Sequence, residues 1–411
     1  MLNSNSMQLC RTVDDDLLDR SPIGFRASVG QAGVPLARLN ALECFSRALL
    51  VGVVPLLAFE ALGSKQAVTQ VYLLASLLTL TVTLNFATLE RWLQRRRVVT
   101  LGCGLSLVSA LIFWFGGGYE LALAIGLQKA SGSLFALCLS LYIMDYVGKK
   151  ELIVTESRRI FYSGVAWVVG PTLGVWLWNE SGHWTPLALS MLSSTLALSY
   201  FWYLRLGHDK VISRAKTASV NPLKSIPRYF SQTSLRIAYL ITLTRSIFWL
   251  TLFIYGPIYV VEAGLPSWVA GALISLVSAL MLLSPLISKL VHRHGTRLVT
   301  QLAQNLCAFA LVMLFVTGSP EPIGLLYWII ASIGASALDV VGNIPFMRLV
   351  KARERSEMTM IFSTWREMSN LLTPLLVTLV LLVAPIEVFY LLLAILLSLA
   401  SVSVSFLPRR L

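Results

Sequence analysis

The sequence predicts an all-α integral membrane protein with twelve transmembrane helices in two pseudo-symmetric six-helix bundles. Three observations lead to this fold class: an apolar composition, the number of long apolar runs, and an internal repeat. Of the 411 residues, 56% are hydrophobic and only 13% are charged, whereas soluble globular proteins carry about 25% charged residues. Most of the chain therefore cannot face water.

The apolar runs predict the individual helices. A helix that crosses a bilayer needs about 20 mostly apolar residues, and lipid leaves the backbone no other way to satisfy its hydrogen bonds. Six such runs lie in each half of the chain. The predicted helices span roughly 37–60, 67–86, 98–116, 119–146, 160–178, 185–206, 237–262, 267–290, 298–317, 322–350, 359–383 and 385–407.

Basic residues predict the topology. Of the 33 Lys and Arg residues, 28 lie in or at the rim of the two termini and every second connection, while Lys65 lies in a connection on the opposite side. The positive-inside rule then makes both termini cytoplasmic, in a multi-pass protein of the plasma (inner) membrane. The net charge of +13 reflects this topology and contact with anionic lipid, so we expect membrane lipid but no nucleic acid as a partner.

The predicted organisation has five parts. A disordered cytoplasmic tail precedes the first bundle, a cytoplasmic loop separates the bundles, and a short cytoplasmic tail ends the chain. These parts are 1–36, 37–206, 207–236, 237–407 and 408–411.

An internal repeat relates the two halves. Three pairs of segments match at offsets of 202, 203 and 200, and continuing the second match places Pro171 on Pro374. Nearly constant offsets indicate a duplicated six-helix unit, an arrangement found in many secondary transporters. The pairs are "PLLAFEALG" (55–63) with "PIYVVEAGL" (257–265), "MDYVGKKE" (144–151) with "MRLVKARE" (347–354), and "RRRVVT" (95–100) with "GTRLVT" (295–300).

Two connections resemble the loop motifs of the major facilitator superfamily, in which an Asp-Arg pair precedes a basic cluster. In "ATLERWLQRRRVVTLG" (87–102), Glu90 and Arg91 stand for the pair and Arg95 begins the cluster. "SKLVHRHGTRLV" (288–299) is similar to the partner motif, with Arg293 and Arg297 in place but His292 in the acidic position. The resemblance covers 37–407. It implies that Glu90, Arg91, Arg95, Arg293 and Arg297 gate the protein; anchoring to lipid phosphates is the alternative.

Helix 5 contains "GVAWVVGPTLG" (164–174), which is similar to a glycine-proline signature of the family's antiporters. For Gly164, Gly170, Pro171 and Gly174 we favour a helix-packing interpretation, because small residues let helices approach closely in lipid. A direct mechanistic role is the alternative.

Small and polar residues form one face of helix 4 and one face of helix 10. Such a face is expected to look at a water-filled cavity, with tight helix packing as the alternative. The resemblance implies that helices 1, 4, 7 and 10 line this cavity. The two faces consist of Lys129, Gly132, Ser133, Ala136 and Ser140, and of Ser332, Ala335, Ser336, Asp339, Gly342 and Asn343.

Charged residues inside membrane helices are costly and usually functional. The predicted substrate-binding residues are Arg47, Lys129, Arg245, Ser133, Ser336 and Asn343. Because the charges in the predicted helices lean weakly basic, we expect a small-molecule substrate that is anionic or zwitterionic, moved by alternating access. Alternatively, the arginines pair internally, as Glu43 one turn before Arg47 allows, and a multidrug/proton antiporter exports apolar compounds.

Asp339 is the predicted proton-coupling residue. Burial of a carboxylate favours its neutral form, while a nearby arginine favours the charged form. This balance would let Asp339 load and release a proton on opposite sides of the membrane. A static salt bridge with Arg245 is the alternative.

Enzymatic motifs are not found in the sequence. It contains no GxxxxGK[ST] loop, no metal-ligand spacing and no nucleophile elbow, so we predict no enzyme activity, no cofactor and no metal. A membrane enzyme and a non-transporting receptor remain rival classes.

Overall fold

The computed structural model describes residues 33–146, 152–204, 222–350 and 355–407. The predicted tails and most of the predicted central loop lie outside these residues. Within them the chain is helical, and we number its twelve long helices in chain order. They are α1 Gly33–Leu62, α2 Lys65–Leu84, α3 Phe86–Phe115, α4 Glu120–Tyr146, α5 Leu152–Glu180, α6 Thr185–Tyr203, α7 Thr233–Glu262, α8 Trp268–His294, α9 Thr296–Thr317, α10 Gly324–Val341 with a second segment Ile344–Leu349, α11 Arg355–Ser363 followed by Trp365–Leu381, and α12 Ile386–Val404.

Ten of the twelve described helices are long and apolar enough to cross a membrane by length and composition. The other two, α6 and α11, fall short for physical reasons. In α6, Ser190 and Ser193 lower the hydropathy, but both donate hydrogen bonds to backbone carbonyls of α1. In α11, a break at Thr364 leaves an apolar segment of 17 residues with Arg366 and Glu367 near its start. The predicted fold class is confirmed.

Some helix boundaries differ from the prediction. Helix α1 includes Gly33, four residues before the predicted start. Helix α3 includes Phe86, so the first loop motif consists of helical segments on either side of a non-helical kink at Gln94. Part of the predicted central loop forms a short helix, Pro222–Ser231, which packs against α7 and α11. Its Tyr229 is fully buried and donates a hydrogen bond to the carbonyl of Leu235, so local packing overrides the polar composition of this segment.

The two bundles repeat the same packing. Helix α1 packs against α5 and α6, and α3 against α4 and α6. In the second bundle α7 packs against α11 and α12, and α9 against α10 and α12. The duplicated sequence therefore corresponds to a duplicated arrangement of helices.

The bundles meet at the end remote from the chain termini. The largest hydrophobic cluster lies there and combines residues of both bundles, including Val53, Tyr72, Tyr255 and Val277. The clusters nearer the termini each belong to a single bundle. The structure is thus closed at the remote end, and its hydrophobic packing separates into two bodies toward the termini.

The two loop motifs share an unusual backbone conformation. Gln94 has φ 64° and ψ 149°, and Gly295 has φ 84° and ψ 152°. The buried pairs that follow, Val98 and Val99 in one bundle and Val299 and Thr300 in the other, lie at the same distances from these kinks. The structural offset is therefore 201, one residue more than the sequence match at this loop indicated.

Because this conformation favours glycine, Gln94 is held in a strained backbone. Gln94→Gly is expected to raise stability by about 1–3 kcal/mol, measured as a higher thermal unfolding midpoint of the purified protein. Gln94→Ala is the matched control, since it keeps a Cβ and should leave the midpoint unchanged. Equal midpoints for the two variants would contradict the strain.

The glycine-proline segment brings α5 against α1. A Cβ at Gly174 would overlap the backbone carbonyl of Leu49, and one at Gly170 would meet Ala48. A Cβ at Gly164 would meet nothing within 4 Å. The close approach therefore lies in the second half of the segment, beside the buried Pro171.

Gly174→Ala is accordingly expected to destabilise the protein, because α1 and α5 must move apart. Overpacking of this kind costs about 1–3 kcal/mol or more. Gly164→Ala should be neutral in the same thermal unfolding measurement. The packing role is wrong if both variants unfold at the wild-type temperature.

Candidate functional site

Charged side chains from five helices gather midway along the bundles, where the two halves face each other. Helices α1 and α4 of the first bundle contribute three of them, and α7, α10 and α11 of the second bundle contribute the rest. They are Glu43, Arg47, Lys129, Arg245, Asp339, Arg366 and Glu367.

Arg47 is paired within its own helix. Its Nε lies 2.6 Å from Glu43 Oε1, and its Nη2 donates to Glu43 Oε2 at 2.9 Å. Gly132 of α4 lies against the guanidinium, where a Cβ would come 2.9 Å from Arg47 Cδ. The Arg47 side chain is still 33% exposed, so Glu43 neutralises it without covering it.

Arg245 is paired with another helix of its own bundle. Its Nε lies 3.2 Å from Asp339 Oδ1, although the two atoms are not aligned for a hydrogen bond. Trp249 Nε1 donates to Asp339 Oδ2 at 3.1 Å, and the Arg245 guanidinium stacks over Trp365. The Arg245 side chain is only 7% exposed and that of Asp339 is 23% exposed, so the carboxylate is the more accessible member of the pair.

The repeat explains how α1 and α7 present these groups. At offset 202, Glu43 corresponds to Arg245 and Arg47 to Trp249. Each helix thus places two polar side chains four residues apart on equivalent faces. Trp249 was not predicted as a site residue, but its position opposite Arg47 in the repeat was a usable signal.

Lys129 and Glu367 face each other from different bundles without forming an ion pair. Lys129 Nζ lies 5.1 Å from the centre of the Tyr72 ring, and Glu367 is the carboxylate that acts on it electrostatically. Glu367 Oε2 is buried and has no hydrogen-bond partner. Within the described part of the chain, both charges therefore lack the close partners that Arg47 and Arg245 have.

Arg366 adds a third charge of this kind. It is exposed, stacks over the Trp365 ring at 5.4 Å, and interacts electrostatically with Glu367 of its own helix and with Arg47 and Arg159 of the first bundle. Like charges thus face each other across the gap between the bundles. In the sequence Arg159 contributes only to the topology signal; because α5 begins at Leu152, it lies within that helix.

The predicted polar residues of α4 and α10 differ in their environment. Ser336 is buried and its Oγ has no hydrogen-bond partner, and Asn343 Oδ1 is also buried without a partner. Ser133 is half-buried. In this structure α10 therefore holds buried polar atoms without a hydrogen-bond partner among the described residues.

Of the predicted gating residues in the first bundle, Glu90 and Arg95 form an ion pair with 2.9 Å between Oε1 and Nε. The Arg95 guanidinium also stacks over Tyr142 of α4, 5.3 Å from the ring centre. The side chain of Arg91 lies outside the described residues. The first motif therefore ties α3 to α4.

In the second bundle, Arg293 is exposed and Arg297 is half-buried. His292 lines a cavity of about 300 Å³ together with Gly295, Thr296 and Val340. Among the described side chains, no carboxylate lines this cavity.

Polar contacts join the bundles at the end remote from the termini, and sequence reasoning missed them. Lys65 Nζ lies 2.7 Å from Glu262 Oε2, and the Thr69 and Tyr255 hydroxyls are 2.7 Å apart. Thr172 Oγ1 donates to Ser275 Oγ at 2.8 Å. The signal was present in Lys65, the one basic residue on that side, and in Glu262, the glutamate of the repeated "PIYVVEAGL".

The described residues contain no group of three or more His, Cys, Asp or Glu side chains that could hold a metal ion. The four described cysteines are buried and unpaired.

Solved structures share this fold at low sequence identity. A POT family transporter in complex with 5-aminolevulinic acid aligns with a TM-score of 0.74 at 11% identity, covering 94% of this chain and 97% of that one. The nucleoside transporter NupG aligns with a TM-score of 0.70 at 13% identity, covering 91% and 99%. A D-xylose-proton symporter gives 0.71 at 12% identity, covering 92% and 98%. Similarity at this level establishes the fold alone.

No curated protein sequence matches the chain significantly, but a family model does. The family model described as Major Facilitator Superfamily matches residues 37–331, which is more than half of the chain. The two six-helix bundles have the same helix packing, and charged side chains lie between them. Together with the match to the family model, this shows that the chain belongs to the major facilitator superfamily.

Proposed function

We propose that this protein is a secondary active transporter of a small organic solute that carries a negative group, and that a zwitterion fits it best. The observation that carries the proposal is the set of charges without close partners between the bundles. Lys129 belongs to one bundle and Glu367 to the other, and neither forms an ion pair within the described chain. Because a buried charge without a partner is costly, a solute with complementary charges would stabilise this site.

The placement of these charges supports an orientation for the solute. Its anionic group would lie toward Lys129 and the exposed part of Arg47, with Arg366 completing a basic surface. Its cationic group would lie toward the unpartnered Oε2 of Glu367. Ser133, Ser336 and Asn343 would supply further hydrogen bonds. Arg245, which is nearly buried, would position Asp339 rather than contact the solute.

A solute that contacts both bundles would be moved by alternating access, in which the bundles open first to one side of the membrane and then to the other. In the structure the bundles are packed together at the end remote from the termini, which the positive-inside prediction makes the outer face. Opening toward the outside would require the Lys65–Glu262 and Thr172–Ser275 contacts to break. Glu90, Arg91, Arg95, Arg293 and Arg297 would control the cytoplasmic side.

Asp339 is proposed as the proton-coupling group. It bonds to Trp249 and lies beside Arg245, and it is the more exposed member of that pair. Protonation would weaken its attraction to Arg245 and allow α7 and α10 to shift. The D-xylose-proton symporter shows that proton coupling occurs on this fold.

The substrate class can be tested before the solute itself is identified. Purified protein would be screened for thermal stabilisation by amino acids, 5-aminolevulinic acid, dipeptides, carboxylates and neutral sugars, and hits would be tested for counterflow in proteoliposomes. We expect hits among zwitterions or anions, recovered chemically unchanged. Stabilisation only by apolar drugs would favour the multidrug antiporter instead, and a chemically altered solute would favour an enzyme.

The proposed orientation in the plasma membrane predicts which residues are accessible from outside. In a background without native cysteines, Ser181→Cys, in the exposed turn after α5, should react with a membrane-impermeant maleimide in intact cells. Ser231→Cys, at the exposed end of the Pro222–Ser231 helix, should react only after lysis. The reverse pattern would overturn the assignment of cytoplasmic termini.

A further inference from the structure

A second cavity lies within the first bundle, at the end remote from the termini. Its volume is about 440 Å³, within the range of about 300–1,000 Å³ usual for small-molecule sites. The ends of α1, α3, α5 and α6 enclose it, so we call it the four-helix pocket. It is separate from the charged site, because none of the charged residues described there lines it.

Aromatic side chains dominate the four-helix pocket. Trp178 and Phe113 are buried in its floor, while Trp114 and Trp184 are half exposed at its rim. His183 stacks on Trp178 with ring centres 3.9 Å apart, and the Trp114 and Trp184 rings lie 6.2 Å apart. Indole faces carry negative potential and attract cations, which favours an ammonium group in such a setting.

One carboxylate lines the pocket and has no cation of its own. Glu60 is exposed at the rim and forms no ion pair within the described chain. Its counterpart in the repeat, Glu262, is paired with Lys65 at 2.7 Å. The duplicated glutamate thus has a cationic partner in one bundle, whereas in the other it stands beside aromatic rings without one.

We propose that the four-helix pocket binds an ammonium group, held by Glu60 and the indole rings, on a ligand whose apolar part rests on the Phe113 and Trp178 floor. Two sources have this chemistry: a free organic cation and the headgroup of phosphatidylethanolamine. Both sources are compatible with a pocket at the depth of the membrane interface, where tryptophan belts occur. The site is independent of the proposed transport function.

The test uses the full chain in nanodiscs of phosphatidylglycerol, a lipid without an ammonium group. Tetramethylammonium is titrated while intrinsic tryptophan fluorescence is recorded, and tert-butanol serves as the neutral probe of similar shape. We expect a saturable change with tetramethylammonium only. Glu60→Gln should weaken the apparent affinity at least about tenfold, and Trp184→Leu should weaken it as well.

Glu180→Gln is the matched control. This exposed carboxylate is the last residue of α5, at the end of the helix that borders the four-helix pocket, but it does not line the pocket. Its affinity should equal that of the wild type, and thermal unfolding checks that every variant is folded. Repeating the titration in phosphatidylethanolamine nanodiscs distinguishes the sources. Weaker apparent affinity there identifies the headgroup as a competing ligand, and unchanged affinity identifies the free cation. No saturable response, an equal response to tert-butanol, or an unaffected Glu60→Gln variant would overturn the proposal.

Discussion

Lys129→Ala is expected to abolish transport of the native solute while leaving a folded protein. Lys129 has no carboxylate within ion-pair distance in the described chain, and its contact is with the Tyr72 ring. Removing the Lys129 side chain therefore leaves no buried carboxylate of the first bundle without its counter-charge. Losing a buried charge contact to a ligand costs about 2–5 kcal/mol, which is roughly 30-fold or more in Kd at about 1.4 kcal/mol per tenfold.

The measurement is the Kd of the solute identified in the stabilisation screen, together with its rate of counterflow. Lys129→Arg should retain partial activity, because it keeps the charge but changes the geometry. Lys289→Ala removes an exposed lysine of α8 that lies outside the charged site, so its Kd for the solute should equal that of the wild type. If Lys129→Ala binds the solute normally, the proposed anion site is wrong.

Glu367 allows a sharper form of this test. If one zwitterion bridges Lys129 and Glu367, Glu367→Gln should weaken binding of a zwitterion more than binding of the corresponding anion without its ammonium group. Lys129→Ala should weaken both ligands. Equal effects of Glu367→Gln on the two ligands would leave an anionic substrate and exclude the bridging zwitterion.

Asp339→Asn is expected to eliminate uphill accumulation while preserving exchange. Asparagine can still accept the Trp249 hydrogen bond seen at Asp339 Oδ2, but it carries no charge and cannot exchange a proton. The variant would therefore behave as a permanently neutral form. Proteoliposomes with an imposed proton gradient should show solute equilibration without accumulation across about pH 5.5–8, the range in which a partly desolvated carboxylate can titrate.

Trp249→Phe is the matched control, because it removes the hydrogen bond and leaves the Asp339 charge. It should still accumulate solute, although with a different pH profile. Normal accumulation by Asp339→Asn would end the coupling assignment. Loss of folded Asp339→Asn protein would instead favour a static salt bridge with Arg245, since breaking a buried pair costs about 3–5 kcal/mol.

The membrane class and the twelve helices could be predicted because helix length in lipid is set by bilayer thickness. The helix boundaries were harder to predict, because the break at Thr364 in α11 and the kink at Gln94 in α3 depend on local backbone geometry. The kink also displaced the repeat alignment at that loop by one residue, because Gln94 stands where the second bundle has a glycine.

The charged site was predicted in part. The Glu43–Arg47 pair was visible as a spacing of four on one helix, and the structure forms it. The Arg245–Asp339 pair, which joins two helices, was an alternative in the sequence analysis, whereas the pairing of Lys65 with Glu262 of the other bundle was not predicted. Such contacts depend on how the helices rotate and which bundles meet, which a hydropathy pattern does not specify.

The most direct test of alternating access is a reversible cross-link across the closed end. Thr172 and Ser275 belong to different bundles, and their hydroxyl oxygens are 2.8 Å apart, so a Thr172→Cys/Ser275→Cys pair is well placed for a disulfide. Counterflow is measured in a background without other cysteines. Alternating access predicts that the oxidised protein does not exchange solute and that reduction restores exchange. Exchange at the same rate with the cross-link intact would contradict it.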